Sequence, residues 1–354
     1  MATLPKSGGR GTRQNPENRY ERIHIELELL DEDAAPQPTQ FYRDTSRTVL
    51  AENDSPDVGF RFSLNPYRGC EHGCIYCYAR PTHEYLGFSA GLDFERRVMI
   101  KEDAPALLRK TFLSPRWQPQ VVALSGNTDC YQPIERRVQL TRRCLQVLCE
   151  FQNPVSIVTK SALITRDIDL LAHLTRFHAV HVIVSLTTLD AALASRMEPR
   201  AATPERRLAA IAALSAAGIA VGINIAPVLP GLNDSEIPAI LGSAAAAGAR
   251  SADWLLVRLP RPVDQLLMDW LQRNFPARCT RVLGRIRECR AGRLSDARFG
   301  HRHRGEGPYA AHIAALFRAA ARRAGLDQPL PPLSAAAFRR PAASPAIAQQ
   351  LQLC

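Results

Sequence analysis

The feature that most constrains the fold is a regular alternation of short apolar runs with longer amphipathic segments between residues 60 and 275. The segments between the runs carry apolar residues at three- and four-residue spacing, and Thr203 and Asp234 stand where helix N-caps are expected. Strands that alternate with helices imply a parallel sheet with right-handed crossovers. Five β-branched-rich runs have the length of buried strands: VVALSG (121–126), VSIVTKS (155–161), VHVIVSLTT (180–188), VGINIAPVLP (221–230) and WLLVRLP (254–260).

A sixth run, FRFSLNP (60–66), precedes these five. The pattern therefore predicts an α/β fold of the partial (β/α)6 barrel type, two units short of a closed barrel of eight. In such folds the functional residues gather at the carboxyl ends of the strands. RIHIELELL (22–30) is a further candidate strand. We predict four segments: a flexible leader and irregular arm (1–58), a core domain (59–275), a basic helical C-terminal extension (276–326) and a loose Ala/Pro-rich tail (327–354).

The charge of the chain is unevenly distributed. The formal net charge is +11, and residues 279–323 hold eleven arginines and no lysine against three carboxylates. This basic extension favours an anionic partner such as DNA or RNA, and a merely solvated basic surface is the alternative. No run approaches the ~18 apolar residues of a membrane span, and the N-terminus lacks the apolar stretch of a secretory signal. We expect a cytoplasmic protein with no membrane partner.

Three of the nine cysteines lie within eight positions, in CEHGCIYC (70–77) directly after the first predicted core strand. The other six are dispersed. In a reducing compartment a tight group of thiols binds metal more often than it forms disulfides. Cys70, Cys74 and Cys77 could ligate either a zinc ion, with His72 or His83 as fourth ligand, or a cubane iron–sulfur cluster with one open iron.

The motif NPYRGCEHGCIYCYAR (65–80), placed before five further strand–helix units, resembles the radical S-adenosylmethionine (SAM) superfamily. The resemblance implies a [4Fe–4S] cluster held by Cys70, Cys74 and Cys77, with SAM chelated by the unique iron. It also implies an external electron donor such as flavodoxin or ferredoxin. Reduction would cleave SAM and release a 5′-deoxyadenosyl radical that abstracts hydrogen from the substrate.

The resemblance also suggests which residues bind SAM. SGNTDC (125–130) stands where the superfamily usually has a Gly-Gly-Glu-like segment for the SAM ammonium, although only the glycine is retained. Lys160, one of only four lysines, is expected to pair with the SAM carboxylate, and Arg196 is the alternative. The hydroxyls that begin at Ser185 suit the ribose, and the end of the fifth strand suits the adenine. The predicted SAM-binding residues are Tyr76, Gly126, Thr128, Asp129, Lys160, Ser185, Ile225 and Pro227.

Within the superfamily, TDCYQPIE (128–135) and TKS (159–161) resemble the branch of DNA-repair photolyases related to spore photoproduct lyase. This resemblance implies a lyase reaction on a nucleic-acid base, with Cys130 as the thiol that returns a hydrogen atom to the substrate. A packed loop thiol is the alternative for Cys130. Two other functions stay open: a radical SAM enzyme that acts on a peptide or small metabolite, and a non-catalytic zinc-bearing protein that binds nucleic acid.

Overall fold

The computed structural model describes residues 9–20 and 38–341. In this part of the chain the ten strands are β1 (Gln40–Arg43), β2 (Leu50–Glu52), β3 (Phe62–Leu64), β4 (Tyr67–Arg68), β5 (Arg97–Ile100), β6 (Val122–Leu124), β7 (Val155–Thr159), β8 (Val180–Ser185), β9 (Val221–Val228) and β10 (Ser251–Leu256). The candidate strand at residues 22–30 lies outside the described residues.

The helices fall between the strands, as the sequence predicts. In chain order the described α-helices are α1 (Leu92–Arg96), α2 (Ala104–Leu113), α3 (Glu135–Val138), α4 (Leu140–Phe151), α5 (Ile168–Thr175), α6 (Ala191–Met197), α7 (Pro204–Ala216), α8 (Ile237–Ala246), α9 (Val263–Asn274), α10 (Pro276–Glu288) and α11 (Gly307–Ala324). Short 3₁₀ helices occupy Arg80–Leu86, Ala162–Asp167 and Asp234–Glu236.

The main sheet confirms the predicted partial (β/α)6 barrel. Its strand order is β10-β9-β8-β7-β6-β3-β2, and the six strands from β3 to β10 in this sheet are parallel, while β2 is antiparallel to β3. Because the strands are parallel, their carboxyl ends meet at one edge. The last strand begins three residues earlier than predicted, because none of its first residues, Ser251–Asp253, is buried at the sheet edge, and two of the three are polar. A small second sheet has the order β1-β5-β4.

Each strand of the main sheet turns alternate side chains to opposite faces. On β9, Val221, Ile223 and Ile225 are fully buried in the main core beneath the helices, whereas Gly222 and Asn224 face the other side. We call this second side the inner face of the sheet. Local signals help to set where a helix begins. The Thr203 hydroxyl accepts a hydrogen bond from the backbone N–H of Arg206 and caps α7, as predicted. Asp234, in contrast, makes no such bond to α8.

The basic extension and the described part of the tail, residues 327–341, pack on the core. Helix α11 lies against α8 and carries Phe317 into the main core. A second apolar core joins α9 and α10 to the cysteine loop. Further on, Leu330 contacts Gly222 on the inner face, and the Phe338 ring lies 6.1 Å from the ring of Phe112. This differs from the loose tail expected after residue 327, because leucine and phenylalanine spaced along the segment find apolar partners.

Candidate active site at the carboxyl end of the sheet

The cysteine loop leaves the sheet just after β3 and β4, at the predicted edge. Gly69 and Gly73 have φ of 80° and 67°, and a Cβ on Gly73 would lie 2.8 Å from the Glu95 carboxylate, so the loop needs glycine there. The three cysteines are free thiols. Cys77 packs against the apolar group that contains Cys70 and also against the one that contains Cys74. The Cys70 thiol interacts electrostatically with Cys74 and Cys77, and that of Cys74 with Cys77, so the three thiols lie near one another.

A buried ion pair fixes the shape of this loop. Arg80 and Glu95 are both fully buried, and their charged atoms lie 2.6 Å apart. The Arg80 guanidinium also donates two hydrogen bonds to the Cys74 carbonyl, while the Glu95 carboxylate accepts from the backbone N–H groups of Gly11 and Thr12. The N-terminal segment is thus tied down at residues 9–20. Arg80 stands in the motif CYAR, but nothing local in the sequence marks Glu95 as its partner.

The two histidines considered as zinc ligands have other contacts. His83 Nε2 lies 2.8 Å from the Arg97 carbonyl oxygen, and burial lowers the pKa of His83 to about 4. His72 Nδ1 lies 3.4 Å from an oxygen of Asp129. Within residues 9–20 and 38–341, no three His, Cys, Asp or Glu side chains are close enough together to hold a single metal ion.

The loop after β6 is held by its own side chains. The Asp129 carboxylate accepts from the Thr159 hydroxyl and from the Lys160 backbone N–H, each at 2.7 Å, and the Thr128 hydroxyl donates to the Tyr67 carbonyl at 2.8 Å. These two side chains therefore position the ends of the strands. Direct contact of Thr128, Asp129 or Gly126 with SAM stays a prediction.

Lys160 follows β7 on the inner face, and its ammonium lies 5.9 Å from the centre of the Tyr76 ring. Burial opposes the charge, but Cys74 and Glu198 raise the pKa of Lys160, so the ammonium is charged at neutral pH. Beneath it, the Glu198 carboxylate accepts hydrogen bonds from Tyr76, Thr187 and Arg207. Burial would raise the pKa of Glu198, but Arg207 and Lys160 lower it to about 2.

Glu198 and Arg207 were missed because nothing in the sequence marks a buried carboxylate on the loop after α6. The alternative to Lys160, Arg196, lies elsewhere: its guanidinium stacks on Phe275, 5.4 Å from the ring centre. The structure thus brings Lys160, and not Arg196, next to the cysteine loop.

The ends of β8 and β9 carry the residues that were predicted to contact the ribose and the adenine of SAM. Ser185 pairs with Asn224 in the sheet register, and the side-chain oxygen of Asn224 is buried without a hydrogen-bond partner among the described residues. Ile225 lies on the opposite face, in the main core, so it does not face the space where adenine was expected. Pro227 is buried, and its carbonyl accepts from the Asn233 amide.

Cys130, the predicted hydrogen donor, is fully buried in the main core. Its thiol contacts the hydroxyls of Ser125 and Thr141, and burial raises the pKa of the thiol. The structure therefore does not place Cys130 with the cysteine triplet on the open side of the site. Its role as hydrogen donor stays a prediction.

The donor set fits an iron–sulfur cluster and SAM. Burial raises the pKa of the Cys70 thiol, and it raises that of Cys74 to about 12, so both sulfurs need a cation to become thiolates. The iron of a cluster would supply that charge. The charged ammonium of Lys160 and the unpartnered oxygen of Asn224 are suited to the carboxylate and to the hydrogen-bond donors of SAM, respectively.

Comparison with known proteins agrees with this site. The model of the radical SAM superfamily matches residues 64–244, half of the chain, and the protein belongs to that superfamily. Members of the superfamily use an iron–sulfur cluster and SAM, so the resemblance seen in the motif is confirmed. None of the described helices combines the length and the apolar character that a membrane crossing needs.

Individual proteins resemble this chain in sequence or in fold. An uncharacterized protein of Mycobacterium tuberculosis H37Rv is 42% identical over 219 residues, which cover 61% of this chain and 64% of that protein. An uncharacterized protein of Methanocaldococcus jannaschii is 30% identical over 184 residues, 52% of this chain and 66% of that protein. Among solved structures, spore photoproduct lyase complexed with dinucleoside spore photoproduct is similar with a TM-score of 0.55 and 15% identity, over 81% of each chain.

Proposed function

We propose that this protein holds a [4Fe–4S] cluster on Cys70, Cys74 and Cys77 and cleaves SAM reductively. One observation carries the proposal: three free thiols lie near one another on a loop at the carboxyl end of six parallel strands. Three protein ligands leave one iron of a cubane open to SAM, whereas a structural zinc ion needs a fourth ligand. His72 and His83 are engaged with other groups, which supports the cluster.

The side chains around the loop have separate tasks in this proposal. A cluster held by the three cysteines would supply the electron for reductive cleavage of SAM and so the means to abstract hydrogen from the substrate. Lys160 binds the SAM carboxylate, and Asn224 accepts a hydrogen bond from SAM. Glu198 favours the charged form of Lys160 and accepts a hydrogen bond from Tyr76, while Arg207 holds the Glu198 carboxylate in place. The closed lower part of the sheet, where Leu330 covers Gly222, helps to keep water away from the radical.

For the substrate we propose a nucleic-acid base, in a lyase-type reaction that repairs DNA. Two features support this: the fold similarity to spore photoproduct lyase, and the basic extension of residues 279–323. Because fold similarity does not establish a substrate, a peptide or small metabolite remains the competing class.

The test replaces each of Cys70, Cys74 and Cys77 by alanine in the full chain. Each variant should lose cluster iron and sulfide after anaerobic reconstitution, together with dithionite-dependent release of 5′-deoxyadenosine. Cys149→Ala is the matched control, because that free thiol lies on α4, outside the site, and should keep both. Full release by any one of the three variants contradicts the ligand assignment.

The same assay addresses the substrate. Consumption of a damaged oligonucleotide by the wild-type protein, with SAM cleavage coupled to it, would support the repair reaction. SAM cleavage that leaves every damaged oligonucleotide unchanged would favour the competing substrate class.

A further inference from the structure

Arg258 lies at the mouth of the site, two residues after β10 ends. Its guanidinium carbon is 5.0 Å from the centre of the Tyr78 ring. Tyr78 directly follows Cys77, is 43% exposed, and its hydroxyl donates a hydrogen bond to the Gly126 carbonyl at 2.6 Å. The arginine thus stacks on a tyrosine that is fixed between the cysteine loop and the end of β6.

Arg258 has no carboxylate partner within 4 Å in the described part of the chain, although its neighbours do. Arg302 pairs with Asp57, and Arg304 pairs with Asp253, each at 2.6 Å. Arg258 is only partly exposed, and burial lowers its pKa. A partly desolvated cation without a carboxylate in direct contact is unfavourable, and an anion bound beside it would relieve that cost.

The surroundings keep this cation in place and add to the positive potential. Arg290 is buried and donates hydrogen bonds to the Val257 and Arg302 carbonyls, so it ties the end of β10 to the loop that follows α10. On that loop Phe299 is 56% exposed, with the Arg302 guanidinium 4.6 Å from its ring centre. Arg302 is close enough to Arg258 to lower its pKa, so the unpaired arginine, the fixed tyrosine and the exposed phenylalanine lie near one another.

We propose that Arg258 and Tyr78 form a subsite that binds a phosphodiester group of a nucleotide substrate at the mouth of the site. The inference rests on the proposed function, because it assigns the opening above the cysteine loop to substrate. A planar guanidinium binds phosphate through two parallel hydrogen bonds, and exposed aromatic rings beside it suit the stacking of bases. The strongly basic extension makes a phosphate a better match than a carboxylate of a peptide.

The experiment measures equilibrium binding of two probes to the full chain, without SAM or reductant. The probes are thymidylyl-thymidine, whose phosphodiester is charged, and its uncharged methylphosphonate analogue. Arg258→Gln should weaken binding of the charged probe about tenfold to a hundredfold and leave the uncharged probe nearly unchanged. Arg258→Lys, which keeps the charge and loses the second hydrogen bond, should fall between.

Arg250→Gln is the matched control, since it removes the same charge from the other end of β10, where Arg250 is exposed. Unchanged binding of the uncharged probe shows that Arg258→Gln still folds. The proposal is overturned if wild type binds both probes equally, if Arg258→Gln and Arg250→Gln behave alike, or if an acidic tetrapeptide and not the dinucleotide depends on Arg258. Because the assay needs no SAM cleavage, its outcome is separate from that of the proposed function.

Discussion

Replacement of Arg80 by glutamine tests how the cysteine loop is held. Both members of the Arg80–Glu95 pair are completely buried, so removal of the cation leaves a desolvated carboxylate that still accepts from the N-terminal segment. Breaking a buried pair in this way costs about 3–5 kcal/mol of the free energy of unfolding. The variant also loses the hydrogen bonds to the Cys74 carbonyl, so the loop itself should loosen.

A surface pair with the same separation provides the control. Arg61 and Glu52 also lie 2.6 Å apart, but their side chains are 62% and 58% exposed. Since water screens such a pair, Arg61→Gln should cost roughly 0–1 kcal/mol. Because the two pairs have the same separation, a larger effect of Arg80→Gln reflects burial and the hydrogen bonds of Arg80 to the loop, and not distance.

The assay is urea unfolding of the reduced apo-protein, followed by circular dichroism, with iron content after anaerobic reconstitution as a second measurement. Arg80→Gln should lower the unfolding midpoint and the iron bound per chain even though all three cysteines remain. Arg61→Gln should change neither. Equal midpoints for the two variants would refute the argument that the buried pair stabilises the loop.

Two further predictions concern acid stability and close packing. The pKa of Glu198 is lowered from 4.5 to about 2 because Arg207 outweighs the effect of burial. The ionised form of Glu198 therefore stabilises the fold above pH 4.5, and this contribution is lost as the pH falls toward 2. Between these pH values the stability of Glu198→Gln, measured by acid unfolding followed by fluorescence, should fall less steeply than that of the wild type, and an unchanged profile would contradict the assignment. A Cβ on Gly11 would lie 1.7 Å from the Gly73 carbonyl oxygen, so Gly11→Ala should cost about 1–3 kcal/mol. Gly242 lies inside α8 with open space around it, so Gly242→Ala should raise the free energy of unfolding by roughly 0.5–1 kcal/mol. The melting temperature should fall for Gly11→Ala and rise for Gly242→Ala, and a shift of both in the same direction would contradict this.

Much of the fold could be read from periodicity. The apolar runs and the amphipathic segments gave the six parallel strands of the main sheet, since a buried strand and a one-sided helix each leave a local signature. The exact start of β10 was not readable, because an edge strand buries only part of its residues and its polar beginning resembles a loop. The packing of Leu330 and Phe338 was not readable either, because their partners lie far away in the chain.

The site divides in the same way. The cysteine spacing, its glycines and its position after a strand are local, so the sequence by itself determined the superfamily and the thiol triplet. The direction in which a side chain points and the residues that it contacts are not local properties. Only the tertiary structure showed that Ile225 faces the helices and that Cys130 is buried in the core. It alone decided that Arg258 lacks a carboxylate while Arg302 and Arg304 have theirs, because ion pairs between distant segments depend on how the chain folds back on itself.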